Sequence, residues 1–239
     1  MSVIVSLVLV GGGRMGRAIL EECRTGTDFR AAGVILRQAP ESSLPGDPAV
    51  FLDLDAGLAA ASGAVLVDFS GPAGAGDRVR RAAERGHAVV LGTTGLGTEV
   101  EEALEIAAER VAVVVAPNTS PGVSLVRRAL RAALPPPTLG WDVGVVERHH
   151  RAKQDAPSGT ARLLERDLRE AGRNRVEIVS LRQGGVIGEH AVHLAGDDEE
   201  IVLVHRAFSR RVFARGALLA ARFAAAARPG RYGMDDVLG

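Results

Sequence analysis

Through the first half of the chain, short apolar runs rich in β-branched residues alternate with stretches whose apolar residues recur at helical spacing. Residues 3 to 10 form such a run, glycines fill 11 to 13, and "RMGRAILEECR" then carries a helical stripe, which predicts strand, turn and helix. The unit returns along the chain. "FRAAGVIL" and "AVLVDFS" read as strands, "DRVRRAAERG" as a helix ended by Gly86, and "HAVVLGTTG" as a strand entering a glycine loop. The helix "EVEEALEIAAER" and the strand "VAVVVAPN" follow. Continuous apolar strands joined through amphipathic helices predict an α/β domain built on a doubly wound parallel sheet, covered on both faces.

After Pro121 the rhythm changes. "SLVRRALRAAL" is a helix stopped by the prolines at 135 to 137, "WDVGVVERHH" a strand, and "SGTARLLERDLREAG" a helix. From Arg175 onward "RVEIVSLRQG", "GEHAVHLAG" and "EEIVLVHRAFS" read as an antiparallel meander, joined partly by the acidic turn Gly196-Asp197-Asp198. This predicts a second, α+β domain on a mixed or antiparallel sheet over 121–210. The first domain covers 1–120 and is completed by 211–239, where the helix "ARGALLAARFAAAA" needs an apolar partner.

Composition narrows the function. Lys plus Arg equals Asp plus Glu at 29 each, so no long-range field draws nucleic acid or an anionic membrane, and an anionic ligand must meet a local basic cluster. The N-terminal apolar run, about ten residues, falls short of the roughly 20 needed to span a bilayer and lacks a basic flank, so it reads as a buried strand. A single cysteine, Cys23, forms no internal disulfide; it reads as a helix-packing thiol and makes the cytoplasm the default location.

Gly11-Gly12-Gly13-Arg14-Met15-Gly16 fits G-x-G-x-x-G immediately after a predicted strand and at the start of a helix, which makes the first domain Rossmann-like. Side chains there would hold a pyrophosphate away from the backbone amides and the positive helix end. The bland alternative is a tight turn without a ligand. About 20 residues on, where an NAD binder carries a carboxylate for the ribose, the chain reads Val34-Ile35-Leu36-Arg37-Gln38. Arg37, with Arg14, offers a fork for a 2′-phosphate, so NADPH is the expected preference and NADH remains possible; a solvated loop cation is the alternative. Gly92-Thr93-Thr94-Gly95 ends another predicted parallel strand, where open α/β sheets bind ligands; its backbone groups are candidates to hold a nicotinamide amide, though taken alone the motif is little more than a turn.

The densest chemistry lies in "ERHHRAKQDAPSGTA", residues 147 to 161. His149 and His150 end a predicted strand and point to opposite sides, so one of them serves as proton donor. Lys153 and Arg151 add cations, and Ser158-Gly159-Thr160 opens a helix whose amides and hydroxyls suit a carboxylate. Taken singly, the histidines are a solvated pair and Ser-Gly-Thr an ordinary helix cap.

Together, E-x-H-H-x-x-K-x-D-x-P-S-G-T-A resembles the signature of the 4-hydroxy-tetrahydrodipicolinate reductase (dihydrodipicolinate reductase) family of lysine and diaminopimelate biosynthesis. The resemblance extends to the Gly-Arg-Met-Gly loop at 13 to 16, Asp68-Phe69-Ser70, Gly92 to Gly95, Asn118 to Gly122, Gly188-Glu189-His190, Ser209-Arg210 and the closing Met234-Asp235-Asp236-Val237-Leu238. It implies reduction of 4-hydroxy-tetrahydrodipicolinate to tetrahydrodipicolinate with hydride from NAD(P)H. It casts His149 as general acid and Lys153 as essential cation, with His150, Ser158, Gly159, Thr160 and Arg210 around the dicarboxylate. Asn118 and Thr119 join Gly11, Gly13, Arg14, Met15, Gly16, Arg37, Gly92, Thr93 and Thr94 on the cofactor side. It also implies a homotetramer assembled through the second domain.

This chain departs from the family pattern at Val10, where the first loop glycine usually stands, at Leu36 in place of an acidic residue, at Thr119 in place of a frequent aromatic, and at Pro121. The segment before Asp68 is also short. No metal is expected: His190 and His193, three apart on a strand, face opposite ways and do not match H-E-x-x-H. His87 and His205 read as ordinary surface or strand residues, with His205 near Arg210 in sequence. Two other functions compete, a non-catalytic dinucleotide-binding regulator and an amino-acid dehydrogenase of similar two-domain build.

Overall fold

A computed structural model describes residues 4–239, which divide into two compact units, one formed by the N-terminal half up to Thr119 together with Arg211–Gly239, the other by Ser120–Arg210. The expected strand over 3–10 is observed as β1 (Val5–Val10), residue 3 lying outside the described residues. After it come α1 (Arg14–Thr25), β2 (Phe29–Ile35), β3 (Val50–Phe51), α2 (Leu54–Ala60), β4 (Val65–Asp68), α3 (Ala75–Glu84), β5 (Val89–Leu91), α4 (Thr98–Ala108) and β6 (Ala112–Val115).

The second unit holds α5 (Pro121–Ala133), a 3-10 turn, β7 (Asp142–His149), α6 (Gly159–Glu170), β8 (Glu177–Arg182), β9 (Gly188–Ala195) and β10 (Glu200–Ala207). The chain then returns to the first unit with α7 (Arg211–Ala226), β11 (Gly230–Tyr232) and α8 (Met234–Leu238). Periodicity did not reveal α2, β3, β11 or α8, all seven residues or shorter and too brief to display a period.

The first sheet has the order β11-β6-β5-β4-β1-β2-β3, with every pairing parallel. The order reverses beside β1, between β2 and β4, which is where open α/β sheets of this kind take ligands at the carboxyl ends of their strands. β4 is buried along its whole length because helices cover both faces. One face packs against α1 and α7 through Ile19, Leu20, Ala217, Ala220 and Ala221, the other against α2, α3 and α4 through Leu58, Val79 and Leu104. The alanines of α7 let that helix lie close to the sheet, so the C-terminal segment completes the first unit's core.

The second sheet corrects the expected meander. Its order is β10-β9-β7-β8: β7 lies between β8 and β9, parallel to β8 and antiparallel to β9. α6 is the reason. A helix between two strands carries the chain back to the starting end, so β8 joins β7 in parallel, and β9 then pairs on the free edge of β7. α5 and α6 cover one face through Leu130, Ala161, Leu164 and Leu168, packed on Val143, Val145, Val192 and Leu194. Arg127 of α5 grips the buried Asp167 of α6 with two bonds of 2.6 and 2.8 Å, pinning the helices together. His87 corrects a second expectation: it is buried, with Nδ1 2.8 Å from the Ala64 carbonyl.

Leu164 is fully buried in the second unit's core, and the sole tryptophan, Trp141, packs on the same cluster. Leu164→Ala leaves a cavity there, so urea unfolding followed by Trp141 fluorescence should show a loss of about 2–5 kcal/mol.

Candidate active site

The candidate residues form two groups, one in each unit. In the first unit, Gly11 follows β1 with φ +99°, a conformation side chains rarely adopt, donates its N–H to the Ile35 carbonyl, and lies close to the next loop: a Cβ would stand 3.1 Å from Ser70 Cα. At Gly16 a Cβ would stand 2.0 Å from the Gly11 carbonyl oxygen, which explains why helix and turn pack so closely. Gly13 caps α1 without a side-chain bond, and nothing lies within 4 Å of its missing Cβ. An open approach to a helix start with no acidic residue in its first turn fits a pyrophosphate.

Around this loop, Leu36 lies against Gly12, Arg14 and Arg37 are exposed, and Met15 is half-buried. At the end of β5 the Phe69 ring fills the space beside Gly92, where a Cβ would come within 2.1 Å of it. Thr94 is exposed, whereas the Thr93 hydroxyl is buried without a partner among the described residues, a polar group left for a ligand to satisfy. Asn118 is half-buried, and the buried Thr119 hydroxyl donates to the Phe213 carbonyl at 2.7 Å, which leaves it only acceptor capacity for a ligand. Asp68, fully buried, accepts from Ser70 N and Oγ and from Arg78 Nε at 2.7 to 2.9 Å, bracing the loop against which Gly11 lies.

In the second unit, alternation along β7 turns Glu147 and His149 to the buried face and leaves His150 half-exposed. His149 Nδ1 lies 2.5 Å from Glu147 Oε2. Glu147 also accepts two bonds from Arg182, at 2.9 and 2.7 Å, and one from the Ser158 N–H at 3.1 Å. Burial pushes the Glu147 carboxyl up, but the Arg182 guanidinium, the Ser180 hydroxyl and the His149 ring together hold it down at about 2. Burial lowers the pKa of His149; the Glu147 carboxylate opposes that, and the Lys153 and Arg182 charges add to it.

Lys153 binds both oxygens of Asp155, at 2.7 and 2.9 Å, so it meets an anionic ligand only by sharing or exchanging that carboxylate. Ser158 caps α6, its Oγ accepting from Ala161 N at 3.2 Å and lying 3.0 Å from His190 Nε2; Gly159 and Thr160 begin the helix. His190 stacks edge-on to His149, with ring centres 5.2 Å apart. Burial and the His149 charge press its pKa down to about 3, so it stays neutral at ordinary pH. Arg210 is half-buried after β10, and His205 meets Ser120 Oγ at 3.1 Å. His193 pairs with Glu200 on the other face of β9.

The structure thus gathers His149, Lys153 and Ser158 about Glu147, Arg182, His190 and Asp155, to which the sequence reading gave no role. Period-two alternation was a signal for Glu147. None existed for Arg182, whose place follows from its register partner His149 on the neighbouring strand.

The N-terminal dihydrodipicolinate reductase family model matches residues 5–119, and the C-terminal one matches 122–238. The chain belongs to the dihydrodipicolinate reductase family. Curated relatives named 4-hydroxy-tetrahydrodipicolinate reductase include one from Rubrobacter xylanophilus, 40% identical over 95% of each chain, and one from Granulibacter bethesdensis, 41% identical over 95% of this chain and 94% of the relative. A dipicolinate-bound dihydrodipicolinate reductase from Paenisporosarcina sp. TG-14 shares the fold, with TM-score 0.77 at 21% identity, covering 98% of this chain and 99% of that one. Among the described residues no helix is long and apolar enough to cross a membrane, and no three His, Cys, Asp or Glu side chains converge on a metal position.

Depression of the Glu147 carboxyl from an ordinary 4.5 to about 2 means its charge stabilises the fold fully above pH 4.5, and that contribution is lost as pH falls toward 2. Thermal melts should show the midpoint falling through this window, with a shallower slope in Glu147→Gln.

Proposed function

We propose that the protein reduces 4-hydroxy-tetrahydrodipicolinate to tetrahydrodipicolinate in lysine and diaminopimelate biosynthesis, using NAD(P)H, with His149 delivering the proton. Family membership supports the reaction. The observation that carries the mechanism is the buried His149, its Nδ1 held by Glu147, at the end of a strand beside Lys153 and the start of α6.

Loss of water from the 4-hydroxy ring forms a C=C bond conjugated with the ring C=N; hydride then adds at the carbon that bore the hydroxyl and a proton at its neighbour, so the net change takes up a hydride and a proton and releases water. The bound nicotinamide supplies the hydride. The residues of this chain manage charge and the proton. With Nδ1 engaged by Glu147, Nε2 is the nitrogen of His149 that faces a reacting ring, and a positioned acid of this kind contributes typically ~10²–10⁴-fold. Lys153 and the positive end of α6 stabilise the negative charge that develops on the conjugated ring. Ser158, Gly159 and Thr160, with His150 and Arg210, hold the carboxylates.

On the cofactor side, Gly11, Gly13, Arg14, Met15 and Gly16 receive the pyrophosphate, while Gly92, Thr93, Thr94, Asn118 and Thr119 line the nicotinamide end. Arg37 and Arg14 favour NADPH over NADH, because Leu36 leaves no carboxylate at the end of β2 to repel a 2′-phosphate. The second unit assembles the enzyme as a homotetramer through the outer face of its sheet, where Val179, Leu181, Val202 and Val204 stand exposed.

Oxidation of NADPH on addition of freshly prepared 4-hydroxy-tetrahydrodipicolinate tests the reading; activity on aspartate with NADP⁺ alone would overturn it. In that assay His149→Gln should cut kcat by about 10²-fold or more while NADPH affinity, read by fluorescence titration, stays near wild type. Arg37→Ala should raise the KM for NADPH by about tenfold and leave that for NADH almost unchanged, since one charge-assisted contact is lost.

A further inference from the structure

The proposed reaction gives Glu147 no contact with substrate or cofactor, yet its carboxylate is bonded to four residues around the proton donor, His149, Ser158, Ser180 and Arg182. Three elements converge on it. β8 runs parallel to β7 in a register that sets Ser180 beside Glu147 and Arg182 beside His149. Arg182 reaches Glu147 with two N–H groups and gives the Asp155 carbonyl a bond of 2.6 Å, tying the carboxylate to the loop that carries Lys153. From the start of α6, Ser158 N–H donates to Oε1. The carboxylate is therefore held in place independently of His149.

An ionised carboxylate only accepts hydrogen bonds. The His149 nitrogen 2.5 Å from Oε2 must then carry a hydrogen whether the ring is neutral or charged. The proton that comes and goes is the one on Nε2.

We propose that Glu147, anchored by Arg182, is the positioning residue for His149: it keeps the hydrogen on Nδ1 and reserves Nε2 for delivering the proton. The proposal rests on His149 being the donor and deepens that reading. Glu147 also sets the pH range of the donor. The groups facing His149 are Glu147 on its own strand, Arg182 on β8, His190 on β9, and Lys153 with its partner Asp155 on the loop. Burial, Lys153 and Arg182 disfavour the imidazolium, His190 is neutral, and the Asp155 carboxylate is engaged by Lys153. Glu147 is the direct contact that favours the charged ring, and Asp155 adds only a weaker attraction from the loop. Without it the imidazolium loses its proton at lower pH, so activity that needs it falls away earlier as pH rises.

The test combines side-chain ¹⁵N NMR of histidine-labelled full-length protein, the His149 signals being identified by their loss in His149→Gln, with pH–rate profiles. In the wild type the neutral ring should be the Nδ1–H tautomer; finding the Nε2–H tautomer overturns the proposal and needs no variant. In Glu147→Gln an amide faces Nδ1 in place of the carboxylate. The neutral ring should switch to Nε2–H, and the basic limb of kcat should move down by about one pH unit. At pH 7.5 kcat should drop by about 10- to 100-fold with KM within about twofold, because an orienting group acts in the transition state. Glu147→Asp, which retains the charge, should recover part of the limb position and carries the same test if the glutamine variant does not fold. A limb and tautomer unmoved in a folded variant mean that Glu147 is only structural. The NMR arm requires no substrate, so a wild type with the expected tautomer but no reductase activity sinks the functional reading and not the hold of Glu147 on His149.

Discussion

A carboxylate with no exposure to water is costly unless it is paired and hydrogen-bonded on every side, and Glu147 meets that condition through Arg182, Ser158, Ser180 and His149. Because those partners come from β7, β8 and the start of α6, satisfying one buried charge also fixes how three elements meet. The ends of these elements carry the acid, the cation loop and the helix start that the proposed chemistry needs. In this network, removing Glu147 would leave the half-buried Arg182 without its carboxylate, whereas removing His149 leaves the carboxylate held by Arg182 and Ser158. His190 extends it: a ring kept neutral by burial can lie against His149 and meet the Ser158 hydroxyl without adding a competing charge.

The first unit solves a different problem, close backbone approach. Gly16 is required because a Cβ there would strike the Gly11 carbonyl, and Gly11 because its φ of +99° is one that side chains rarely adopt, while Gly13 stays open toward whatever approaches the helix start. Two of the unusual residues of this chain find local explanations. Leu36, standing where the family places an acidic residue, packs against Gly12, and Thr119, standing where an aromatic is frequent, ties its hydroxyl to Phe213 of α7. That bond links the end of the N-terminal half to the returning C-terminal helix, so the first unit is closed by chain from both ends.

What the sequence by itself determined was local. The alternation of apolar β-branched runs with helical stripes was enough for the doubly wound sheet, since burial on both faces imposes that pattern on each strand. The glycine turn and the residues from Glu147 to Ala161 identified the candidate chemistry, because a tight turn, a strand end and a helix cap are each written in a few consecutive positions. Only the tertiary structure decided strand order in the second sheet. The runs at Glu177–Arg182, Gly188–Ala195 and Glu200–Ala207 look alike as strands, and no local preference tells β8 to pair with β7 and not with β9. The same register brought Arg182 to Glu147 across 35 positions and let it reach the Asp155 carbonyl, so that the carboxylate at the start of a surface-looking motif is buried and paired. Contacts between residues far apart in sequence depend on which edges remain free once helices have carried the chain back, a property of the assembled sheet that no single segment contains.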